Sequence, residues 1–403
     1  MVDANLALES SRRAAVSVWM NRISFLDDLP CDPLIAREDM PYGWRGLTAK
    51  GEILEVRSRN GIPSGEVVMA RGGSVVARLA QPADNVAERA SIDEYLQHYE
   101  EACVLCRANR PLEALTKWDA ALAIAPTAFA RFNRALTLLA LGRWTEGFEE
   151  YRECELIPGL MRPSVREAID AGLKPWRGEP IAGKRLLLIH SHGLGDTLMT
   201  LRYADQLMHS GADVTLLMPP PLVSLAEQIA PVVSHIVPAD YFCPMLHLPG
   251  LLRATPDNLG GLPAPYLRPP ADRAEPRYGN DCHRIGIAWS TGNPDVANGG
   301  YHREIPLAKL VSNLGDAEIH SVQIQGGEEA RALGVVTYDF EDFGHCAEVM
   351  MMMDEIVSVD TAALHLAGAI GHPHVTGLLR DWCSWRWLAP WYDVELRRLD
   401  DGN

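Results

Sequence analysis

"LLLIHSHGLGDTLMTLRYADQL", residues 186–207, decides the fold. A short apolar run ends at His190 and His192. Two glycines follow at Gly193 and Gly195, then Asp196, then a stretch with helical spacing. Strand, glycine turn and helix open a nucleotide-handling α/β unit. A dinucleotide fingerprint asks for G-x-G-x-x-G. Here Gly193-Leu194-Gly195 is followed by Asp196, Thr197 and Leu198, so the third glycine is missing. An acid also stands where a pyrophosphate would meet the helix N-terminus, and a carboxylate there repels phosphate. A nicotinamide-dependent enzyme is therefore disfavoured. Two readings of Asp196 stay open: an N-terminal helix cap, or a general base held by its glycine turn at the mouth of a cleft.

Outward from this stretch the chain alternates strand and helix. "RLLLIHS" reads as a strand and "GDTLMTLRYADQLMHSG" as a helix; "DVTLLMP" reads as a strand and "PLVSLAEQIAP" as a helix. A second series opens at "HRIGIAWS" and continues through "IHSVQIQ" and "EIVSVD". Short, apolar, β-branched strands between helices are the rhythm of parallel, doubly wound sheets. The rhythm occurs twice, with a Pro-rich stretch between, which predicts two Rossmann-like domains with a cleft between them.

Upstream, the Pro/Gly linker "LKPWRGEPIAGK" (173–184) follows an Ala-, Leu- and Glu-rich helical region. That region echoes itself. "NRPLEALTKWDAALAIAP" is answered by "GRWTEGFEEYRECELIP", with Glu113 matched by Glu146, Trp118 by Tyr151, and Pro126 by Pro158. A period near 34 closed by proline resembles tetratricopeptide (TPR) repeats, although about three units are usual for independent stability. A plain helical hairpin and a partner-binding surface both stay open. Residues 1–88 form a separate module. Alternating polarity with turn signals at Asn60-Gly61, Pro63-Ser64-Gly65 and Gly72-Gly73 predicts a small β-meander, with Gly72-Gly73 as a tight hairpin turn.

Composition narrows the function. The 403 residues carry a formal net charge of −16 and no Lys/Arg cluster. Nucleic acid and anionic membranes are poor partners for such a chain, because phosphate neutralisation needs clustered cations. No apolar run approaches the roughly 20 residues of a membrane span, and the N-terminus lacks the apolar centre of a secretory signal. A cytoplasmic location is expected, with the eight cysteines as free thiols. Cys103 and Cys106 form a lone CxxC without a second ligand pair, so no metal site is expected.

Two further motifs sit at strand ends. In "DEIVSVDTAALHLAGAIGHP" (354–373) a strand ends in Asp360-Thr361, and small residues then open a helix carrying His365. Small residues at a helix N-terminus let a diphosphate approach free backbone N–H groups. A cap at Asp360-Thr361 with a packed His365 is the plainer alternative. "IGIAWSTGNP" offers a second phosphate turn at Ser290-Thr291-Gly292, and Arg303 downstream is placed to neutralise phosphate. The aromatic run "DWCSWRWLAPWYDVELRRL" reads as a lid or core plug before it reads as a sugar-stacking site.

Taken in order, "HGLGDTLMTLRYADQL", "RIGIAWSTGNP", "HREIPLAKL", "HSVQIQGGEEA", "DEIVSVDTAALHLAGAIGHPHVTGLL" and "WRWLAPWY" resemble the heptosyltransferase-like glycosyltransferases (family 9-like), in particular the bacterial branch with TPR repeats before the catalytic domain. The similarity spans residues 95–400. It implies an α/β GT-B fold. The layout is then a β-rich module at 1–88, TPR-like helices at 89–172, an acceptor half at 178–275 and a donor half at 276–403. It implies inverting, metal-independent hexosyl or heptosyl transfer from a nucleotide-diphospho-sugar, with no cofactor. Asp196 would be the base, positioned by His192, Gly193 and Gly195. Ser290, Thr291, Arg303, Gln323, Asp360, Thr361, Ala362 and His365 would face the donor. The repeats point to a protein or peptide acceptor, while a glycan or lipid-linked acceptor, and homo-oligomerisation, stay open. Departures are His192 before the "GLGD" turn, Gln325 where many relatives carry Lys, and "DFGHCAEV" in place of "D-x-A-D-T-A". They keep a second class in view: a non-catalytic TPR scaffold with a degenerate transferase domain.

Overall fold

The computed structural model describes residues 86–156, 161–190, 192–270, 282–291, 303–379 and 384–399, with the backbone of five strands between 34 and 78. Gly72-Gly73, Pro158, Gly292 and the second half of the Pro-rich stretch (271–280) lie outside the described residues. The five strands are β1 (Leu34–Met40), β2 (Gly43–Thr48), β3 (Ile53–Arg59), β4 (Ile62–Arg71) and β5 (Ser74–Arg78). They pair antiparallel in sequence order, and Arg71 opposite Ser74 leaves a two-residue connection between β4 and β5.

Four helices follow: α1 (Val86–Arg107), α2 (Pro111–Ile124), α3 (Ala128–Ala140) and α4 (Trp144–Glu155). The chain divides into two compact units. One holds residues 1–106, 110–137 and 153–161; the other holds 107–109, 138–152 and 162–403. In the first, Pro111 begins α2 where its missing N–H costs nothing. Ala114, Trp118 and Ala121 are buried, and Trp118 meets Tyr99 edge-on with centroids 4.9 Å apart. The Trp118 indole N–H donates to Thr137 Oγ1 at 3.0 Å, so a wholly buried aromatic carries a satisfied polar atom.

The second unit contains α4 as far as Arg152, α5 (Pro163–Asp170) and two five-stranded parallel sheets. The first sheet comprises β6 (Lys174–Pro175), β7 (Arg185–Ile189), β8 (Asp213–Leu217), β9 (Val232–Val233) and β10 (Tyr241–Pro244), in the order β6-β10-β7-β8-β9. The second comprises β11 (Arg284–Ala288), β12 (Glu318–Ser321), β13 (Glu355–Val359), β14 (Val375–Leu379) and β15 (Glu395–Arg398), in the order β12-β11-β13-β14-β15. Strands covered on both faces must be apolar throughout, and Leu186 to Ile189 are all buried, as is every residue of β14. The expected pair of parallel α/β halves is present. "PLVSLAEQIAP" forms only a 3-10 turn at Pro220–Leu222 and one helical turn at Val223–Ala226. Pro231 bounds it on the C-terminal side, because its ring crowds the carbonyl four positions back and it has no N–H to continue a helix. "IHSVQIQ" is likewise strand only to Ser321, because Gln323 is drawn into a turn.

Both sheets reverse strand order beside a central strand. β7 lies between β8 and β10, and β11 lies between β12 and β13. Open α/β sheets bind ligands at the carboxyl ends of strands at such switch points. The carboxyl end of β7 leads into α6 (Leu194–His209), and that of β13 leads into α10 (Ala362–Ala369). Between them in sequence run α7 (Leu307–Ser312), α8 (Gly327–Ala332) and α9 (Phe343–Met351). Among the described residues no helix is long and apolar enough to cross a membrane.

Candidate active site

The N-termini of α6 and α10 meet. A Cβ built on Gly195 would lie 3.3 Å from Ala362 Cα and 2.7 Å from the His365 ring, so only glycine allows this approach without displacement. Gly193 is the cap residue of α6 and has an extended backbone. Asp196 is the third helical residue, so the cap reading of Asp196 does not describe its place. Its carboxylate accepts a short hydrogen bond from Arg386 Nε, across 190 residues of sequence. The side chains are 14% and 20% exposed, which makes this a largely desolvated ion pair. Burial pushes the Asp196 carboxyl up, but Arg386 outweighs it, with smaller help from His192 and His365. The group titrates below the ordinary carboxylate range.

His192 is held by Tyr151 of α4, ring nitrogen to hydroxyl at 2.7 Å. His190 Nδ1 lies 2.6 Å from Thr197 Oγ1, and burial lowers its pKa, with His192 adding to the shift.

On the facing side, Thr361 is the cap residue of α10, yet its side chain makes no cap bond and instead reaches Ser358 Oγ at 3.2 Å. Asp360 is buried, 3.6 Å from Arg303 Nη1, which also donates to the Asp360 carbonyl at 3.4 Å. His365 stacks on Trp387 with centroids 4.6 Å apart and lies 3.3 Å from Tyr392 Oη. Burial lowers its pKa to about 4, against the pull of Asp360 and Asp196, so it is neutral at pH 7. It is therefore a packed histidine at the centre of four charged groups.

Gln323 holds the turn after β11. Its amide oxygen accepts from the Trp289 and Ser290 N–H groups at 3.0 and 2.9 Å. Its amide nitrogen donates to Ser290 Oγ at 2.8 Å and to the Gln325 carbonyl at 2.9 Å. The side chain is thus committed to the chain itself. Thr291 Oγ1 is buried without a hydrogen-bond partner among the described residues.

The structure brings Asp196, Gly195, His192, Arg303, Asp360, Thr361, Ala362 and His365 to one seam. It leaves Gln323 as a brace for Ser290. The aromatic run is a plug: Trp391 stacks on Trp144 of α4 at 5.7 Å, and Trp385 meets Trp144 and Phe148 edge-on. Arg386 was not singled out by the sequence. The available signal was a cation inside "WRWLAPWY", since a cation buried among aromatics needs a counter-charge. Among the described residues no three His, Cys, Asp or Glu side chains are grouped so as to hold a metal ion.

No protein-family model matches the chain. It is 25% identical over 320 residues to Protein FlbA of Caulobacter vibrioides, which covers 66% of this chain and 51% of that protein. The chain thus spans about half the length of the curated relative it matches. Among solved structures it is similar to a family 9 glycosyl transferase from Veillonella parvula, with a TM-score of 0.40 and 12% identity over 56% of this chain and 88% of the other. It is also similar to an O-GlcNAc transferase from Thermobaculum terrenum, with a TM-score of 0.27 and 12% identity over 74% and 72%.

Proposed function

We propose that the chain is an inverting GT-B glycosyltransferase. It would move a hexosyl or heptosyl group from a nucleotide-diphospho-sugar to an acceptor hydroxyl, without a metal ion. One observation carries the reading. Two helix N-termini, each at the switch point of a parallel sheet, converge on one seam, with Asp196 on one helix and the Arg303–Asp360 pair beside the other. The six motifs that resemble family 9 transferases fall on this seam or brace it.

In this mechanism Asp196 takes the proton of the acceptor hydroxyl. The oxygen attacks the anomeric carbon from the face opposite the diphosphate. The bond between that carbon and the phosphate oxygen breaks, and its electron pair leaves with the nucleoside diphosphate. The free N–H groups at the start of α10, with Arg303, would take up the developing charge. Such fixed donors cost no reorganisation as the reaction proceeds. Read as tetratricopeptide-like repeats, the helices α1–α4 favour a protein or peptide acceptor, since helical-repeat surfaces bind extended chains. The reading includes a cytoplasmic location, which subcellular fractionation checks.

The test is a thermal-shift screen against UDP-, GDP-, ADP-, CMP- and dTDP-sugars, with and without chelator. A selective shift that survives the chelator supports the reading and names the base. A ligand at 100 times its Kd adds about 2.7 kcal/mol. Well-folded protein that no nucleotide stabilises would instead favour the scaffold, for which the locked Asp196 is the motivating observation.

A further inference from the structure

We propose that Arg386 is an exchangeable partner: it holds Asp196 in the ligand-free chain and passes to the phosphate oxygens of a nucleoside diphosphate, releasing Asp196 to act as base. The inference rests on the transferase reading above and adds the residue that switches its base on.

Charge balance is the first support. Around neutral His365 stand two cations, Arg303 and Arg386, and two carboxylates, Asp360 and Asp196, all four acting on it. Each cation already faces a carboxylate. A diphosphate therefore enters a seam whose arginines are both taken. Placing an unpaired anion in a desolvated site is strongly unfavourable. One arginine must change partner, and the carboxylate it leaves, no longer held ionised by that cation, becomes more basic.

Geometry says which arginine moves. Arg303 holds Asp360 by carboxylate and by carbonyl, so its partner lies on the same side as itself. Arg386 reaches across to α6 with Nε alone. Its Nη1 rests on Ser384 Oγ at 3.2 Å, its cation lies 4.9 Å over the Trp385 ring, and Nη2 makes no hydrogen bond among the described residues. The base of the side chain is rigid, because Trp385 and Trp391 are wedged against Trp144. The fork can turn while its root stays fixed. The start of α10 is within its field, since Asp360 also acts on Arg386. A planar fork that binds one carboxylate oxygen in one state suits two phosphate oxygens in the other.

A proton accompanies the exchange. The groups facing Asp196 are Arg386 from the 384–387 turn, His190 and His192 from the segment before α6, His365 from α10, and Tyr392. Asp360 and Tyr151 face Arg386. Once Arg386 leaves, burial is no longer offset and the Asp196 carboxyl rises. Binding then draws a proton at mildly acid pH.

The experiment is calorimetric titration of the full chain with the nucleoside diphosphate selected by the sugar screen, at about pH 5 in buffers of different ionisation enthalpy. The variants are Asp196→Asn, Arg386→Gln, Arg386→Lys and the double variant Asp196→Asn/Arg386→Gln, each checked for folding by circular dichroism. Wild type takes up more protons on binding than Asp196→Asn, in which only the terminal phosphate exchanges one, and Asp196→Asn binds several-fold more tightly because its arginine is no longer held. Arg386→Gln binds at least tenfold more weakly, Arg386→Lys recovers part of the loss, and the double variant matches Arg386→Gln. Nucleotide that binds wild type and Asp196→Asn with equal affinity and equal proton uptake overturns the exchange and leaves the transferase reading standing. Nucleotide that binds none of the folded proteins overturns both.

Discussion

Gly195 faces His365 across the seam between the two α/β halves, and a Cβ on the glycine would lie 2.7 Å from the histidine ring. The ring cannot withdraw freely, because Trp387 stacks on its other face at 4.6 Å. Gly195→Ala therefore forces the two helix N-termini apart. A cost of about 1–3 kcal/mol is expected from overpacking. Urea denaturation of wild type and variant measures it, and equal midpoints would mean the seam yields.

Buried His365 makes stability depend on pH. Its folded-state pKa is about 4, against an ordinary 6.5. The unfolded chain therefore binds the proton first as pH falls. The contribution is fully present above pH 6.5 and is lost progressively down to about 4, amounting to roughly 3 kcal/mol. Asp196, held low by Arg386, loses its contribution only at lower pH, below the ordinary carboxylate value. His365→Phe is expected to flatten the upper window alone. Denaturant midpoints at pH 7 and pH 5 test this, and an unchanged slope would show that the histidine titrates normally.

Gln323 is a brace that one substitution separates into its two jobs. Gln323→Ala leaves the Trp289 and Ser290 N–H groups without their acceptor and is expected to cost about 1–3 kcal/mol. Gln323→Glu keeps the acceptor but loses the donor to Ser290 Oγ and the Gln325 carbonyl, so it should fall between the two. Thermal unfolding ranks the three proteins. Equal stability of the Ala variant and wild type would remove the brace.

Trp118 is the keystone of the first helical unit. Trp118→Ala removes a wholly buried ring, its edge contact with Tyr99 and the hydrogen bond to Thr137. A loss of about 3–5 kcal/mol is expected. Trp118→Phe keeps the apolar contact and loses the hydrogen bond, so it should cost less. Far-UV circular dichroism during denaturation reports both.

Asp360→Ala should weaken nucleotide-sugar binding by roughly tenfold, about 1.4 kcal/mol, because Arg303 loses the partner that holds it beside α10. Equilibrium titration with the selected donor measures this. An unchanged dissociation constant would take the Arg303–Asp360 pair out of the donor site.

Local chemistry determined the two α/β halves. Leu186 to Ile189 are apolar throughout, and Ile356, Val357 and Val359 are β-branched and apolar, so a strand covered on both faces accommodates each run. The glycine turn at the start of α6 and the small residues opening α10 are each written within a few consecutive positions. Segments whose neighbours overrule propensity were not legible. "PLVSLAEQIAP" forms only single turns before Pro231, and the amide of Gln323 ends β12 early.

Tertiary structure alone decided the charge pairing. Asp196 and Arg386 are 190 residues apart, and no spacing rule connects them. Their meeting depends on a tryptophan plug seated against α4 and on two helix ends that approach through one glycine. A sequence carries the side chains that need partners when buried. Which partner each finds follows from the packing of elements far apart in the chain, because an ion pair forms only where the fold removes both charges from water at the same place.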